Sequence, residues 1–362
     1  MPLKFRDKVL HALGIVSLVF LTAALFLARG PHGNQNGQLQ KASRRMAEVV
    51  AALRECREAA GLPIDLSKDV NGTGLVGLES SPITTSLGSL EAKRTTLNPN
   101  FAGLITLLLR RAGVGPGETI AIGASSSFPG LIIASLCAAE ALDLRPLLIC
   151  SLGASHWGAN HPEFHLLRIL DCLTGSLALS ARPIALSLGG DGDVGKDMSP
   201  EGRELLARAA GEAGLPFLSE PDLERNVEKR LRLFETAAGG AEIRAFINVG
   251  GGYANMGTDS EILRVSPGLA DFSKIPPPGR RGVIFEMAAR GIPVIHLLFI
   301  KGLCERYGLP WDPVPLPPPG EGDFYGQKEI VPRTFLILAG AYFLLIAIFL
   351  VGGASRKNST SG

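Results

Sequence analysis

Three consecutive serines, Ser125, Ser126 and Ser127, stand between an apolar run and a proline in GASSSFPG. A hydroxyl held on a strand-to-helix turn can bind an anion or act as a nucleophile, and the spacing loosely resembles the G-x-S-x-G elbow. Serine ahead of an apolar helix also caps it, so capping competes with both chemistries. Downstream, His156, His161, Glu163 and His165 crowd one short segment, with His156 the candidate base for a serine nucleophile. A helix starting at Pro162 or before would put His161 and His165 on one face. Zinc needs a preorganised ligand set, and no HExxH or comparable signature is present, so no metal is expected.

Two further clusters carry charge. Asp191 and Asp193 in GGDGDVG could form a carboxylate pair or a loop for a hard cation, although Asp and Gly also dominate turns. Glu91, Lys93 and Arg94 lie in the polar stretch SLGSLEAKRTTLNPNF, where Lys and Arg could engage carboxylates, Arg by two parallel hydrogen bonds. Solvated surface charge is the competing reading for each of these.

Four glycine-rich stretches recur after apolar runs: Gly123 to Gly130, Gly153 to Asn160, Gly189 to Gly195 and Gly250 to Gly257. Glycine permits positive φ and close backbone approach, so four such loops on one sheet edge would build a cleft lined by amides and small hydroxyls. The ligand-binding candidates there are Gly123, Ser155, Asn160, Gly189, Gly190, Asp191, Asp193, Gly250, Gly251, Gly252 and Asn255, joined by Glu91, Lys93 and Arg94. Neither GxGxxG nor GxxxxGK[ST] occurs intact, and no cofactor is expected.

The elements that must position these loops follow from the hydrophobic pattern. ETIAIGAS, RPLLICSLGAS, RPIALSLGG, IRAFINVGG and IPVIHLLFI are near-continuously apolar, as strands buried on both faces of a parallel sheet are. Between and around them lie helical stretches: Ala102 to Ala112, Pro129 to Leu142, Pro162 to Leu173, Pro200 to Ala213, Pro221 to Ala238 and Val283 to Arg290. The fold class is therefore α/β, a mostly parallel sheet flanked by helices in three αβα layers. Ligands in such sheets bind beyond the carboxyl ends of the strands.

At 362 residues, 46% apolar and 19% charged, the chain can bury a sizeable core and is no disordered polyelectrolyte. A net charge of +2 with no basic block gives no footing for nucleic acid. Five cysteines without CxxC spacing, several in apolar runs, point away from a disulfide framework. VLHALGIVSLVFLTAALFLA and TFLILAGAYFLLIAIFLVGG carry no formal charge and are each long enough to cross roughly 30 Å of hydrocarbon. The basic residues Lys4, Arg6 and Lys8 at one end and Arg356 and Lys357 at the other place both tails in the cytoplasm; Arg29, Lys41, Arg44 and Arg45 weaken that bias. A cleaved signal peptide is the competing reading of the first stretch.

The expected organisation is then a cytoplasmic tail (1–8), a transmembrane helix (9–28), a linker with a juxtamembrane amphipathic helix (29–60) and an extracytoplasmic α/β domain (61–310). A Pro-rich connector (311–333), a second transmembrane helix (334–353) and a second cytoplasmic tail (354–362) complete it. The lipid bilayer is one implied partner, and the location is a two-pass cell-membrane protein.

Five separated blocks add a resemblance: SPITTSLGSLEAKRTTLNPNFAGLI, AIGASSSFPGL, SLGASHWGANHPEF, SLGGDGDVGKDMSPEGRELL and NVGGGYANMG. Over roughly residues 60 to 310 they resemble the family called poly-γ-glutamate system protein. The resemblance implies a bacterial envelope component whose partners are the poly-γ-glutamate polymer and membrane-bound synthase subunits, and it implies no reaction. It lends no weight to zinc at His156, His161 and His165. Two functions are expected to compete: an accessory subunit that binds or guides the polymer, and a hydrolase or transferase acting on γ-glutamyl amide bonds. The second would use a serine of the GASSS loop as nucleophile with His156 as base. A nucleotide- or sugar-binding domain is the third.

Overall fold

The computed structural model describes residues 35–176, 179 and 182–325, with positions 14, 16–18, 20, 22, 339, 340, 342–344 and 346 of the terminal segments. The chain divides into two units, a body from Asn36 to Gly326 and a terminal unit of Met1–Gln35 with Gln327–Gly362. In the terminal unit the hydroxyls of Ser17 and Tyr342 lie 2.8 Å apart, and the rings of Phe20 and Tyr342 stack with centroids 4.3 Å apart. Among the described residues no helix is long and apolar enough to cross a membrane. The expected spans at 9–28 and 334–353 fall largely outside the described residues, as do both expected tails.

The body is an α/β fold around a seven-stranded sheet in the order β4-β3-β2-β1-β5-β7-β6. The strands are β1 (Thr119–Ser125), β2 (Arg145–Ser151), β3 (Ala185–Ser187), β4 (Phe217–Leu218), β5 (Ile243–Val249), β6 (Gly268–Leu269) and β7 (Val294–Leu297). All neighbours pair in parallel except β6, which runs antiparallel to β7. All five apolar runs are strands. The two-residue edge strands β4 and β6 are additions, too short to show any periodicity.

Alternation along the central strands explains the layers. Ile120, Ile122, Leu148, Cys150, Ile247 and Ile295 point into one core, packed by α1 (Gln35–Ala59), α3 (Asn100–Arg111), α4 (Pro129–Ala141), α5 (Leu166–Ser176), α6 (Pro200–Glu212) and α10 (Ile300–Tyr307). Ala121, Leu147, Ile149, Phe246 and Val294 point into the other, packed by α7 (Leu223–Ala238), α8 (Tyr253–Met256) and α9 (Val283–Ala289). The short α2 (Leu90–Thr95) precedes α3. Helix α4 is apolar all round and buried but for Glu140, because α3 covers the side that the sheet does not.

Several expectations are corrected. Helix α1 takes up most of the 29–60 segment expected to hold a linker as well as a helix, since Leu39 and Ala42 already enter the core. Helix α5 begins only at Leu166: Phe164 turns into the core beneath the Arg57 guanidinium, 5.7 Å from its ring centroid. His161 and His165 therefore precede the helix and share no helical face. A disulfide joins Cys56 on α1 to Cys172 on α5, which no spacing rule could show because the helices meet only in three dimensions. Cys137, Cys150 and Cys304 are free and buried.

The compact unit is also wider than 61–310. Its connector, up to Tyr325, lies docked: Asn100 donates to Pro318 O (2.9 Å) and accepts from Gly320 N (2.8 Å) and from the Tyr325 hydroxyl (2.9 Å), which also meets Ser43.

Candidate functional site

Strand order reverses at β1: the chain moves outward through β2, β3 and β4, then returns to lay β5 on the other side. Ligands in open α/β sheets settle at such a switch point, beyond the carboxyl ends of the strands. The four glycine-bearing loops follow β1, β2, β3 and β5, four adjacent parallel strands, so the expected gathering on one edge is observed.

The three serines divide their duties. Ser126 is fully buried and both its N–H and its hydroxyl donate to Ser151 O, at 3.0 and 2.6 Å, which fastens the β1 loop to β2. Ser125 donates from Oγ to Ser127 Oγ at 3.0 Å, and Ser127 Oγ also accepts from Ser155 N at 2.9 Å. None of the three caps α4, as the competing reading had it: the helix opens on Pro129, which has no N–H to satisfy, and its N-cap Phe128 makes no side-chain cap.

Beside them lies Lys93, 3% exposed. Its Nζ is 2.6 Å from Ser127 O, 2.8 Å from Ser155 Oγ and 3.6 Å from the centroid of the Phe128 ring. Among the described residues no carboxylate pairs with it. Burial pushes Lys93 down to about 7, because removing an ammonium from water without a counter-ion favours the neutral amine. Its neighbours on α2 do other work. Arg94 grips Asp312 of the connector with two parallel bonds, one of them 2.7 Å, and exposed Glu91 accepts from Ser89 Oγ at 2.7 Å.

Asp193 is an anchor. Its carboxylate accepts from Arg230 Nη2 (2.6 Å), Ser187 Oγ (2.8 Å), Asn226 Nδ2 (3.0 Å) and Ser151 Oγ (3.2 Å), all buried. Asp193 lies at φ 61, a left-handed backbone that is uncommon outside glycine and that Asp enters more readily than most residues. Gly189 and Gly190 shape the turn that leads there, while Asp191 stays exposed with its N–H on Asp197 Oδ1.

After β5, Asn248 donates to Gly250 O (2.8 Å) and to His296 Nδ1 (3.0 Å) and accepts from Asn255 Nδ2 (3.0 Å). Burial pushes His296 down to about 4, so the ring is neutral and its Nδ1 is an acceptor. Gly123 faces this cluster across the β1–β5 pair; a Cβ there would lie 2.6 Å from Asn255 Nδ2, so glycine is what lets Asn255 reach Asn248. Gly251 and Gly252 lie at the surface just beyond.

No family model, curated protein or solved structure matches the chain. The geometry alone therefore assigns roles. Ser125, Ser127, Ser155 and Lys93 converge, as do Gly123, Asn248, Asn255 and His296. His156 does not join them: its N–H donates to Ser86 O, and among the described residues its ring bonds to none of the serines. Asn160 is fully buried and spends its amide on Leu78 and Thr84, clipping the 78–84 segment to the body. His165 is buried with Nδ1 unpartnered and is pushed down to about 4, a neutral ring. Among the described residues no group of three or more His, Cys, Asp and Glu is placed to hold a metal.

Sequence reasoning missed Asn248, His296, Asn226 and Arg230. Each carried a signal: Asn248 and His296 interrupt apolar strands, and Asn226 and Arg230 share the α7 face of Val227, Leu231 and Phe234. Lys93 was singled out for carboxylate binding, and its burial was not foreseen.

Proposed function

We propose that this chain is a membrane-anchored accessory component of bacterial poly-γ-glutamate synthesis and export, whose body meets the anionic polymer outside the membrane. The Cys56–Cys172 disulfide carries the reading. Structural disulfides persist in oxidising compartments and are rare where thiols are kept reduced, which favours a body on the far side of the membrane from the cytoplasm.

Further support comes from both units. In the terminal one, Ser17 meets Tyr342 while Leu18, Phe343 and Leu344 are exposed, the polar-inside and apolar-outside pattern of paired helices in lipid. In the body, four glycine-bearing loops gather at the C-terminal sheet edge, the side on which open α/β sheets receive ligands. The resemblance in the five blocks points to the same system.

Two measurements test the proposal. Removing the gene lowers exported γ-linked glutamate polymer, and the full chain supplied in trans restores it; unchanged output overturns the role. Protease added to intact cells cleaves the body; protection in cells with cleavage in inverted vesicles overturns the orientation.

A further inference from the structure

Lys93 is placed to exchange a proton with a hydroxyl. Its Nζ donates to Ser127 O at 2.6 Å and to Ser155 Oγ at 2.8 Å, and once the amine is neutral the same short approach lets its lone pair take the Ser155 proton. The Phe128 ring closes a third side. A lysine kept only to brace a loop would gain from a carboxylate partner, and among the described residues none is supplied. The Ser155 backbone is fixed by its N–H bond to Ser127 Oγ at 2.9 Å, which sets the point from which the hydroxyl approaches the amine.

Access is shaped by glycine. A Cβ at Gly88 would lie 3.0 Å from Ser155 Oγ and 2.7 Å from His156 O, so this position passes closer to the hydroxyl than any side chain would allow. Gly88 is part of the surface segment Ser86–Ser89, and Leu87 at its crest is 84% exposed. Ser155 is 6% exposed and the segment is tied down by His156 N–H on Ser86 O at 2.9 Å, so a ligand reaches the hydroxyl only if that segment moves.

We propose that Ser155 is an acyl-transfer nucleophile with Lys93 as its general base, and that a γ-linked glutamyl amide is the acyl donor. Lys93 Nζ takes the hydroxyl proton as Ser155 Oγ bonds to the amide carbonyl carbon. The C–N bond then breaks, and the departing amine takes the proton from Lys93. Water, giving one proton to Lys93, attacks the resulting ester; the acyl–oxygen bond breaks, Ser155 takes that proton from Lys93, and the carboxylic acid leaves and gives its own proton to solvent. A Ser–Lys pair of this kind is a known variant of the serine triad, and a lysine desolvated in an apolar pocket is a known way to obtain the base. The nucleophile stands on the geometry, whereas the γ-glutamyl donor rests on the functional reading above.

The test uses the full chain in detergent micelles and a fluorophosphonate probe, which forms a serine oxygen–phosphorus bond with loss of fluoride. One adduct on Ser155, lost in Ser155→Ala and slowed about 100-fold or more in Lys93→Met, supports the dyad. Labelling of the wild type rises as pH passes through about 7, where Lys93 releases its proton. Tryptophan emission confirms that each variant is folded. No adduct on folded wild type, an adduct elsewhere, or a rate indifferent to Lys93 overturns it. γ-Linked glutamate polymer is then followed by size-exclusion chromatography. Shortening by wild type and not by Ser155→Ala supports the donor, whereas a labelled Ser155 with polymer left intact overturns the donor and leaves the nucleophile standing.

Discussion

Replacing Lys93 by Met gives the most searching test of the buried amine. In the folded body Lys93 titrates at about 7, against 10.5 for an ordinary lysine. Above 10.5 both folded and unfolded chains carry the neutral amine, and burial costs nothing electrostatically. Between 10.5 and 7 the unfolded chain binds one proton more than the folded one, so stability rises with pH across that window by about 1.4 kcal/mol per unit. Below 7 the full penalty, about 5 kcal/mol, is in place. Methionine fills similar space and never titrates, though it leaves Ser127 O without its donor at a pH-independent cost of about 1–3 kcal/mol.

The quantity to follow is therefore the difference between wild type and Lys93→Met as a function of pH, in which all other titrations cancel. From pH 7 to pH 9 the wild type gains about 2 kcal/mol on the variant, roughly 0.7 M in urea midpoint for an m-value near 3 kcal/mol/M. Trp157 and Trp311, the only two tryptophans, both lie in the body, so their fluorescence reports its unfolding in the detergent-solubilised full chain. A difference that stays constant from pH 6.5 to pH 9 refutes the neutral amine and, with it, the base.

Further outcomes follow from the same packing. Asp193→Asn leaves the Arg230 guanidinium buried and unpaired and costs about 3–5 kcal/mol, while adding Arg230→Met recovers much of the loss, both read by urea denaturation. Reducing the disulfide, or Cys56→Ser, reopens a loop of 116 residues and costs about 4–5 kcal/mol by the chain-entropy estimate; reductant moves the wild-type midpoint and leaves the variant's unchanged. Gly123→Ala forces Asn255 aside and costs about 1–3 kcal/mol, a loss that a double-mutant cycle with Asn255→Ala shows to be non-additive.

What the sequence revealed and what it hid separate along physical lines. Near-continuous apolar runs announced β1, β2, β3, β5 and β7, because a strand covered on both faces has no polar side to show. The loops after β1, β2, β3 and β5 were legible too, glycine standing where each apolar run stopped, whereas β7 runs on into α10. Partnerships were not legible. Lys93 sits on a six-residue helix whose pattern gives no hint of burial, so it looked like a surface cation until Phe128, Ser127 and Ser155 closed around it. His156 attracted notice by residue type and nearness in sequence, yet its backbone, not its ring, does the bonding. Arg94 was expected to grip a carboxylate by two prongs, and it does, but the carboxylate belongs to Asp312 of its own chain.

The docked connector has a mechanical consequence. Because Tyr325 is clasped to Ser43 and Asn100, the body's first and last segments leave it from neighbouring points. Tension applied through the two ends of the body would load that clasp first, and the sheet with its loops would stay outside the path of the force. A pull on the two ends of the body would therefore open the tether before it disturbs a single strand.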